Sequence, residues 1–233
     1  MSAIDYSANQ IICISKNFSQ KYPGASVGIL ILDANGIIKN PGSIQEFKMD
    51  IELGLKRKFS NPDILKDHPT INSYNNYYRN FKKTYHVLAQ INSVVFKGRS
   101  IQSSIPLLEI IFTLELKNLL LTAIHDLDAL QPPLQIGIAS GEEAYITISG
   151  NEQRLKSGDM FMRDQMGVIS SVIYGPDRRT RIKDHSTEVL IVVYAPDGIR
   201  RGEIIRHFGD IKTYLRLISP QLIVKLEEIY PLH

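Results

Sequence analysis

Between Gly175 and Lys183 the sequence runs Gly-Pro-Asp-Arg-Arg-Thr-Arg-Ile-Lys, which sets Arg178, Arg179 and Arg181 close together behind a strand-breaking Gly-Pro. Guanidinium forks take oxyanions two hydrogen bonds at a time, so Arg178, Arg179 and Arg181, with Lys183, suit recognition of phosphate or carboxylate. Asp177 can pair with one of the arginines, a surface hairpin loop being the plainer alternative, and Thr180 completes the loop. Backbone amides beside Gly175 can face an ester carbonyl and stabilise its oxyanion. A second cationic stretch lies upstream. No Asp or Glu occurs between Asp67 and Glu109, while Arg79, Lys82, Lys83, Lys97 and Arg99 fall inside. A field of one sign has phosphate as its natural partner, and the interleaved tyrosines would suit stacking on unpaired bases. Lys97 and Arg99 flank Gly98 on an expected loop, where function often resides.

His125-Asp126 sets an imidazole beside a carboxylate, the pairing used for a general base or for orienting water. Neighbours on a strand face opposite ways, so the pair is read first as structural, with Asp126 and Asp128 capping a turn, and His125 stays a weak catalytic candidate. No spacing of His, Asp or Glu matches a metal site, and a lone cysteine, Cys13, excludes an internal disulfide or a cysteine-rich zinc site. Within Ile11-Ile12-Cys13-Ile14 that thiol reads as a buried core group. No nucleophile elbow, phosphate-binding glycine loop or dinucleotide fingerprint is present, which argues against an ATP-driven ligase and implies no cofactor.

These groups need elements to hold them. With 233 residues, 43% hydrophobic and 22% charged, the chain has the composition of an ordinary globular protein, and its net charge of +3 permits a nucleic-acid partner without the excess of a histone-like chain. Met1 to Asn17 lacks the pattern of a secretory signal, and Ile105 to Ile124 is too interrupted by Glu109, Glu115, Lys117 and Asn118 to span a bilayer, so a cytoplasmic protein without membrane contact is expected. Ser26 to Leu32 reads as a buried strand. Ser43-Ile44-Gln45-Glu46 is a capping box opening a helix with Ile44, Phe47, Ile51 and Leu55 on one face. A second helix is predicted from Ile71 to His86, with Tyr74, Tyr78, Phe81 and Tyr85 on a core stripe and Arg79, Lys82, Lys83 and His86 on a separate face. A third follows Pro106 and carries Leu107, Ile110, Ile111, Leu114 and Leu121.

From Pro132-Pro133 the period becomes that of strands: Leu134 to Ala139, Ala144 to Ser149, Met160 to Arg163, Val168 to Ile173 and Glu188 to Tyr194. Short strands at close intervals predict antiparallel meanders or a barrel-like sheet rather than βαβ units. The helical period returns with Ile204, Phe208, Ile211, Leu215 and Ile218, and Ser219-Pro220 predicts a final short helix. The expected fold is α/β of the α+β type, helices packed on a mixed, largely antiparallel sheet. It forms one domain over 1–233, helix-rich over 1–131, strand-rich over 132–195, with C-terminal helices over 199–230.

Four segments in order, His68-Pro69-Thr70-Ile71-Asn72-Ser73-Tyr74, Lys97-Gly98-Arg99-Ser100-Ile101, His125-Asp126-Leu127-Asp128 and Tyr174-Gly175-Pro176-Asp177-Arg178-Arg179-Thr180, resemble the freestanding relatives of the B3/B4 domain of the phenylalanyl-tRNA synthetase beta chain. In the synthetase that domain edits mischarged tRNA by hydrolysing the aminoacyl ester. The resemblance runs from about Tyr22 to Ala195. It implies a B3/B4-like fold, the aminoacylated 3′ end of a tRNA as partner with no DNA specificity, and a site loop at Gly175 to Lys183. The synthetase pattern has a histidine shortly before a Phe-Asp pair and a glutamate after a double glycine. Here the histidine position falls on Ala123, the glutamate position near Arg181, and the double glycine is Gly175-Pro176. The resemblance therefore implies the pocket more than the synthetase's chemistry. It leaves open a deacylase acting in trans, a non-catalytic RNA-binding module, or a pocket for a free amino acid. The RNA-binding residues implied are Lys97, Arg99, Gly175, Asp177, Arg178, Arg179, Thr180 and Arg181.

Overall fold

The structure is a computed structural model that describes residues 11–37 and 42–231. The capping-box reading rests on the Ser43 side chain, which lies outside the described residues, as does most of the Met1–Asn17 segment. In chain order the elements are β1 (Ile12–Ile14), α1 (Lys16–Lys21), β2 (Ser26–Asp33), α2 (Gly42–Lys58), α3 (Pro62–Lys66), α4 (Pro69–Arg79), α5 (His86–Val95), α6 (Pro106–Asn118) and β3 (Thr122–Asp126). A 3-10 turn (Leu127–Ala129) follows, then β4 (Leu134–Ile138), β5 (Ala144–Ile146), β6 (Glu152–Arg154), β7 (Met160–Asp164), β8 (Gly167–Ser171), β9 (Gly175–Pro176), β10 (Glu188–Ala195), α7 (Arg201–Leu215) and β11 (Ile223–Tyr230). This is an α+β fold with mixed, mostly antiparallel sheets, as expected.

One sheet has the order β1-β4-β7-β8-β9, an antiparallel meander with β1 added in parallel, and the other has the order β11-β2-β10-β3, antiparallel throughout. β5 and β6 form a separate hairpin, tied to the segment after β9 by a bridge between Thr147 and Asp177. The central strands β2 and β10 are buried along almost their whole length, which explains their unbroken apolar runs. α7 lies close on β2: a Cβ on Gly28 would come within 2.5 Å of Ile204 and 2.8 Å of Phe208. Only glycine permits that approach.

Four local expectations change. The predicted helix from Ile71 to His86 is two helices, because α4 ends at Arg79 and Lys82 takes a left-handed φ of 54° before α5 opens at His86. Leu121 falls beyond α6, whose helix closes on Leu119 at φ 61°. The final helix predicted after Ser219-Pro220 is the strand β11, paired antiparallel to β2 with an irregularity between Val224 and Leu226. Pairing with a strand nearly 200 residues upstream outweighs the local punctuation. Cys13, expected in the core, is exposed on β1, its Sγ donating to Leu134 O at 3.4 Å. The tyrosine stripe is core as read: Tyr74, Tyr78, Phe81 and Tyr85 are all buried, with Tyr74 and Tyr85 stacked at 4.2 Å.

The α4 tyrosines fasten that helix to both sheets. Tyr74 donates to Tyr194 O on β10 at 2.6 Å, and Tyr78 donates to Val172 O, just past β8, at 2.6 Å. Tyr77 donates to Asp159 Oδ1 at 2.7 Å and accepts from Met160 N on β7 at 2.6 Å. Among the described residues no helix is long and apolar enough to cross a membrane.

Candidate functional site

The sequence-predicted residues fall into two groups. His125, on β3 opposite Leu190 of β10, is fully buried, and the 175–183 loop reaches it from the other side. Thr180 donates its hydroxyl proton to Asp177 Oδ1, so its oxygen must accept at 2.7 Å from His125 Nδ1. A neutral imidazole has one donor and one acceptor, hence His125 Nε2 accepts from Ser170 Oγ at 3.3 Å, and Ser170 in turn accepts from Tyr194 Oη at 2.6 Å. Burial, with the Arg179 guanidinium adding to it, pushes the His125 imidazole down to about 3, so it stays uncharged. Both its nitrogens are occupied by protein. His125 is thus held in the core by hydroxyl groups on both sides, and Asp126 caps the 3-10 turn, accepting from Asp128 N at 3.3 Å.

The loop divides its side chains between inside and outside. Asp177 and Thr180 are buried and belong to the relay. Arg179 turns inward, donating to Ala129 O at 2.6 Å and to Asp164 Oδ1 at 2.9 Å, with Asp177 at 3.7 Å. Arg178 and Arg181 stay exposed. Arg181 Nη1 donates to Arg178 O at 2.8 Å. Gly175, at φ 78°, accepts from Tyr145 Oη at 2.8 Å, which holds the β5–β6 hairpin against it.

Arg181 and Gly175 border a cavity of about 260 Å³, together with Ala123, Pro176, Tyr194, His86, Glu115 and apolar side chains. Ala123 and Arg181, the positions expected at or near the synthetase's histidine and glutamate, line this one cavity. A cavity of about 450 Å³ adjoins it across Gln90 and Phe112 and carries Arg99 on its wall. On the other side a shallower one, of about 320 Å³, adjoins it across Ile148 and Pro176. Lys83 sits over Tyr174 of that third cavity, 5.4 Å from the ring centre. The three adjoin through shared residues, with Arg99 and Arg181 lining two of them, Lys83 over the Tyr174 ring beside the third, and the half-exposed Phe112 shared by the first two. Lys97 is exposed and lines none of the three. A larger cavity of about 610 Å³ is lined by Ile37, Ile44 and Glu109 among others.

Two pocket residues have no counterpart in the predicted catalytic set. Glu115 on α6 is buried, and its Oε1 accepts from Thr122 N at 2.9 Å. Burial raises its carboxyl to about 8. A carboxylate inside the most apolar window of the chain was its only sequence signal. The neighbouring Glu109 in that window has a cation of its own, Lys48 at 2.7 Å. His86 opens α5, where its ring packs edge-on to Tyr78 and Tyr85. Burial of the ring holds it below the usual histidine range, although the residue keeps an exposed edge.

No protein-family model matches the chain, and no curated protein sequence does. Among solved structures, the chain is similar to the crystal structure of an N-terminal fragment of the phenylalanyl-tRNA synthetase beta-subunit from Pyrococcus horikoshii, with a TM-score of 0.48 and 11% identity. The match covers 95% of this chain and 54% of that one, so the chain spans about half of that fragment. This is a weak structural resemblance.

Proposed function

We propose that the chain binds the aminoacylated 3′ end of a tRNA along the three adjoining cavities and hydrolyses the ester of a mischarged aminoacyl-tRNA in trans. The observation that carries this reading is that Ala123, Gly175, Pro176 and Arg181, placed together by sequence register alone, border one cavity. In this reading the central pocket takes the amino acid, and the flanking parts take the terminal nucleotides. Arg99, Arg181 and Lys83 meet phosphates, and Phe112 offers an aromatic face to a base. An aminoacyl ester is already activated, so positioning and electrostatic stabilisation supply much of the acceleration that its hydrolysis needs.

The test is a deacylation panel in which the purified chain meets tRNAs mischarged with each amino acid in turn. Faster ester loss for a subset of the panel is expected. Failure across the whole panel, with tRNA still bound, overturns the enzyme and leaves a non-catalytic RNA-binding module. That second reading is favoured by one observation, the absence of the synthetase's histidine and glutamate at Ala123 and Arg181.

A further inference from the structure

We propose that His86 is the general base of the central pocket, its Nε2 taking the proton from the water that attacks the bound ester. The inference rests on the ester reading above and adds to it the group that does the chemistry. It begins with a proton count at Tyr78. The phenol has one proton, and it goes to Val172 O at 2.6 Å. The same oxygen lies 3.2 Å from His86 Nδ1, so it can only accept there, and the imidazole must carry its proton on Nδ1. A neutral imidazole of that tautomer presents Nε2 as a bare acceptor. Among the described residues no hydrogen bond to His86 Nε2 is made. The tautomer is thus fixed by the fold, from a backbone carbonyl through a buried phenol.

His86 borders the cavity that holds Ala123, Glu115 and Arg181. Tyr78 and Tyr85 pack on the ring, Glu115 and Arg181 are the charged or titratable groups that border the same cavity, and Tyr194 is its remaining phenol. The partly desolvated ring of His86, on a residue that keeps substantial exposure, binds its proton more weakly than an ordinary histidine, whereas Glu115 holds its proton up to about 8. Two groups in one pocket with proton affinities pushed apart in this way are the usual arrangement for a base and a proton donor.

The step balances without a further reactant. Water gives a proton to Nε2 as its oxygen bonds to the ester carbon, and the carbonyl electron pair moves onto oxygen. On collapse of that intermediate the bond to the ribose oxygen breaks, and the leaving oxygen takes the proton from Nε2. The products are the free amino acid and the tRNA hydroxyl, with the imidazole restored.

The experiment uses the full chain and a mischarged tRNA that the panel shows to be hydrolysed. His86→Gln should lower the single-turnover rate at pH 7 by about 10²–10⁴-fold, the span of a positioned general base, with tRNA affinity unchanged. The wild-type rate should rise with pH through a midpoint below 6.5, and that limb should vanish in the variant. Turnover within a few-fold of wild type, with the limb intact, overturns this role and leaves the ester reading standing. Wild-type protein that hydrolyses nothing removes both. A measurement without RNA tests the tautomer alone: nitrogen-detected imidazole resonances at pH 7 should show His86 protonated on Nδ1 and bare on Nε2. A proton on Nε2 overturns the inference whatever the kinetics.

Discussion

His125 and His86 are both neutral imidazoles oriented by hydroxyl groups, yet they stand in opposite situations. His125 is enclosed in a chain of five side chains, from Tyr194 to Asp177, with a hydroxyl on each nitrogen. His86 has a hydroxyl on one nitrogen and keeps the other open. The sealed ring holds the 175–183 loop against β3 and β8, and the open one faces a cavity. A histidine's surroundings, more than its neighbour in sequence, decide whether it serves stability or chemistry. Tyr194 joins the two regions, because it ends the buried relay and also borders the pocket.

The largest difference should appear in stability. His125→Ala removes a fully buried ring and strands Thr180 and Ser170, so we expect a loss of about 3–4 kcal/mol in urea unfolding. His86→Gln, at an exposed helix start, should stay within about 1 kcal/mol. Equal losses would erase the distinction between the two sites. The arginines of the loop should divide in the same way. Arg179→Ala breaks the link to buried Asp164 and should cost about 2 kcal/mol, a figure kept below that for a fully enclosed pair because Arg179 is partly exposed. Arg181→Ala should stay within about 0.5 kcal/mol and act on RNA affinity instead.

The two regions should also respond to pH in opposite directions, over windows that overlap between about pH 4.5 and 6.5. His125 has a folded value pushed far below its ordinary 6.5, so its stabilising contribution is present above pH 6.5 and lost as the pH falls toward about 3. Glu115 is raised from its ordinary 4.5, so its contribution is full below pH 4.5 and lost as the pH rises through about 8. Subtracting the stability curve of His125→Asn from that of the wild type should isolate a limb that rises with pH between about 3 and 6.5, and Glu115→Gln one that falls between about 4.5 and 8. The subtraction matters because buried His207 also loses stability as the pH falls, whereas Asp159, raised to about 6, loses it in the opposite sense as the pH rises from about 4 to 6. Limbs that stay unchanged would contradict the burial of these groups. The smallest effect is in salt. Three phosphate contacts, at Arg99, Arg181 and Lys83, predict a log–log slope of about −2 for acceptor-end binding, and Arg99→Ala or Arg181→Ala should each flatten it by about 0.7. An unchanged slope would remove that arginine from the phosphate contacts.

Much of this architecture is legible in the chain. The apolar spacing of α2, α6 and α7 and the strand-and-glycine rhythm from Leu134 to Ile173 follow from period alone, because each element buries one face. The breaks that escaped depend on distant partners. Tyr85 continues the helical stripe of Tyr74 and Tyr78 only because a new helix start returns it to stack on Tyr74, so the period runs on through a break in the backbone. β11 carries Leu226, Ile229 and Tyr230 inward, a pattern set by pairing with β2. The site was half visible. Residue types marked His125 and the arginine loop, but the pocket is assembled from α5, α6, β3, β9 and β10, which only the fold brings together. A tautomer fixed through Tyr78 leaves no trace in local sequence.

The fastening of α4 to both sheets has a further consequence. With Tyr74 anchored on β10, whose Tyr194 borders the pocket, Tyr78 beyond β8 and Tyr77 on β7, α4 and these strands cannot move apart without abandoning several buried hydrogen bonds at once. A guest there meets a preset mould and is sorted by fit, and in a rigid apolar recess one methylene separates two guests by only about 1–3 kcal/mol. In the proposed function, amino acids a single carbon apart should therefore be distinguished by about ten-fold to two hundred-fold.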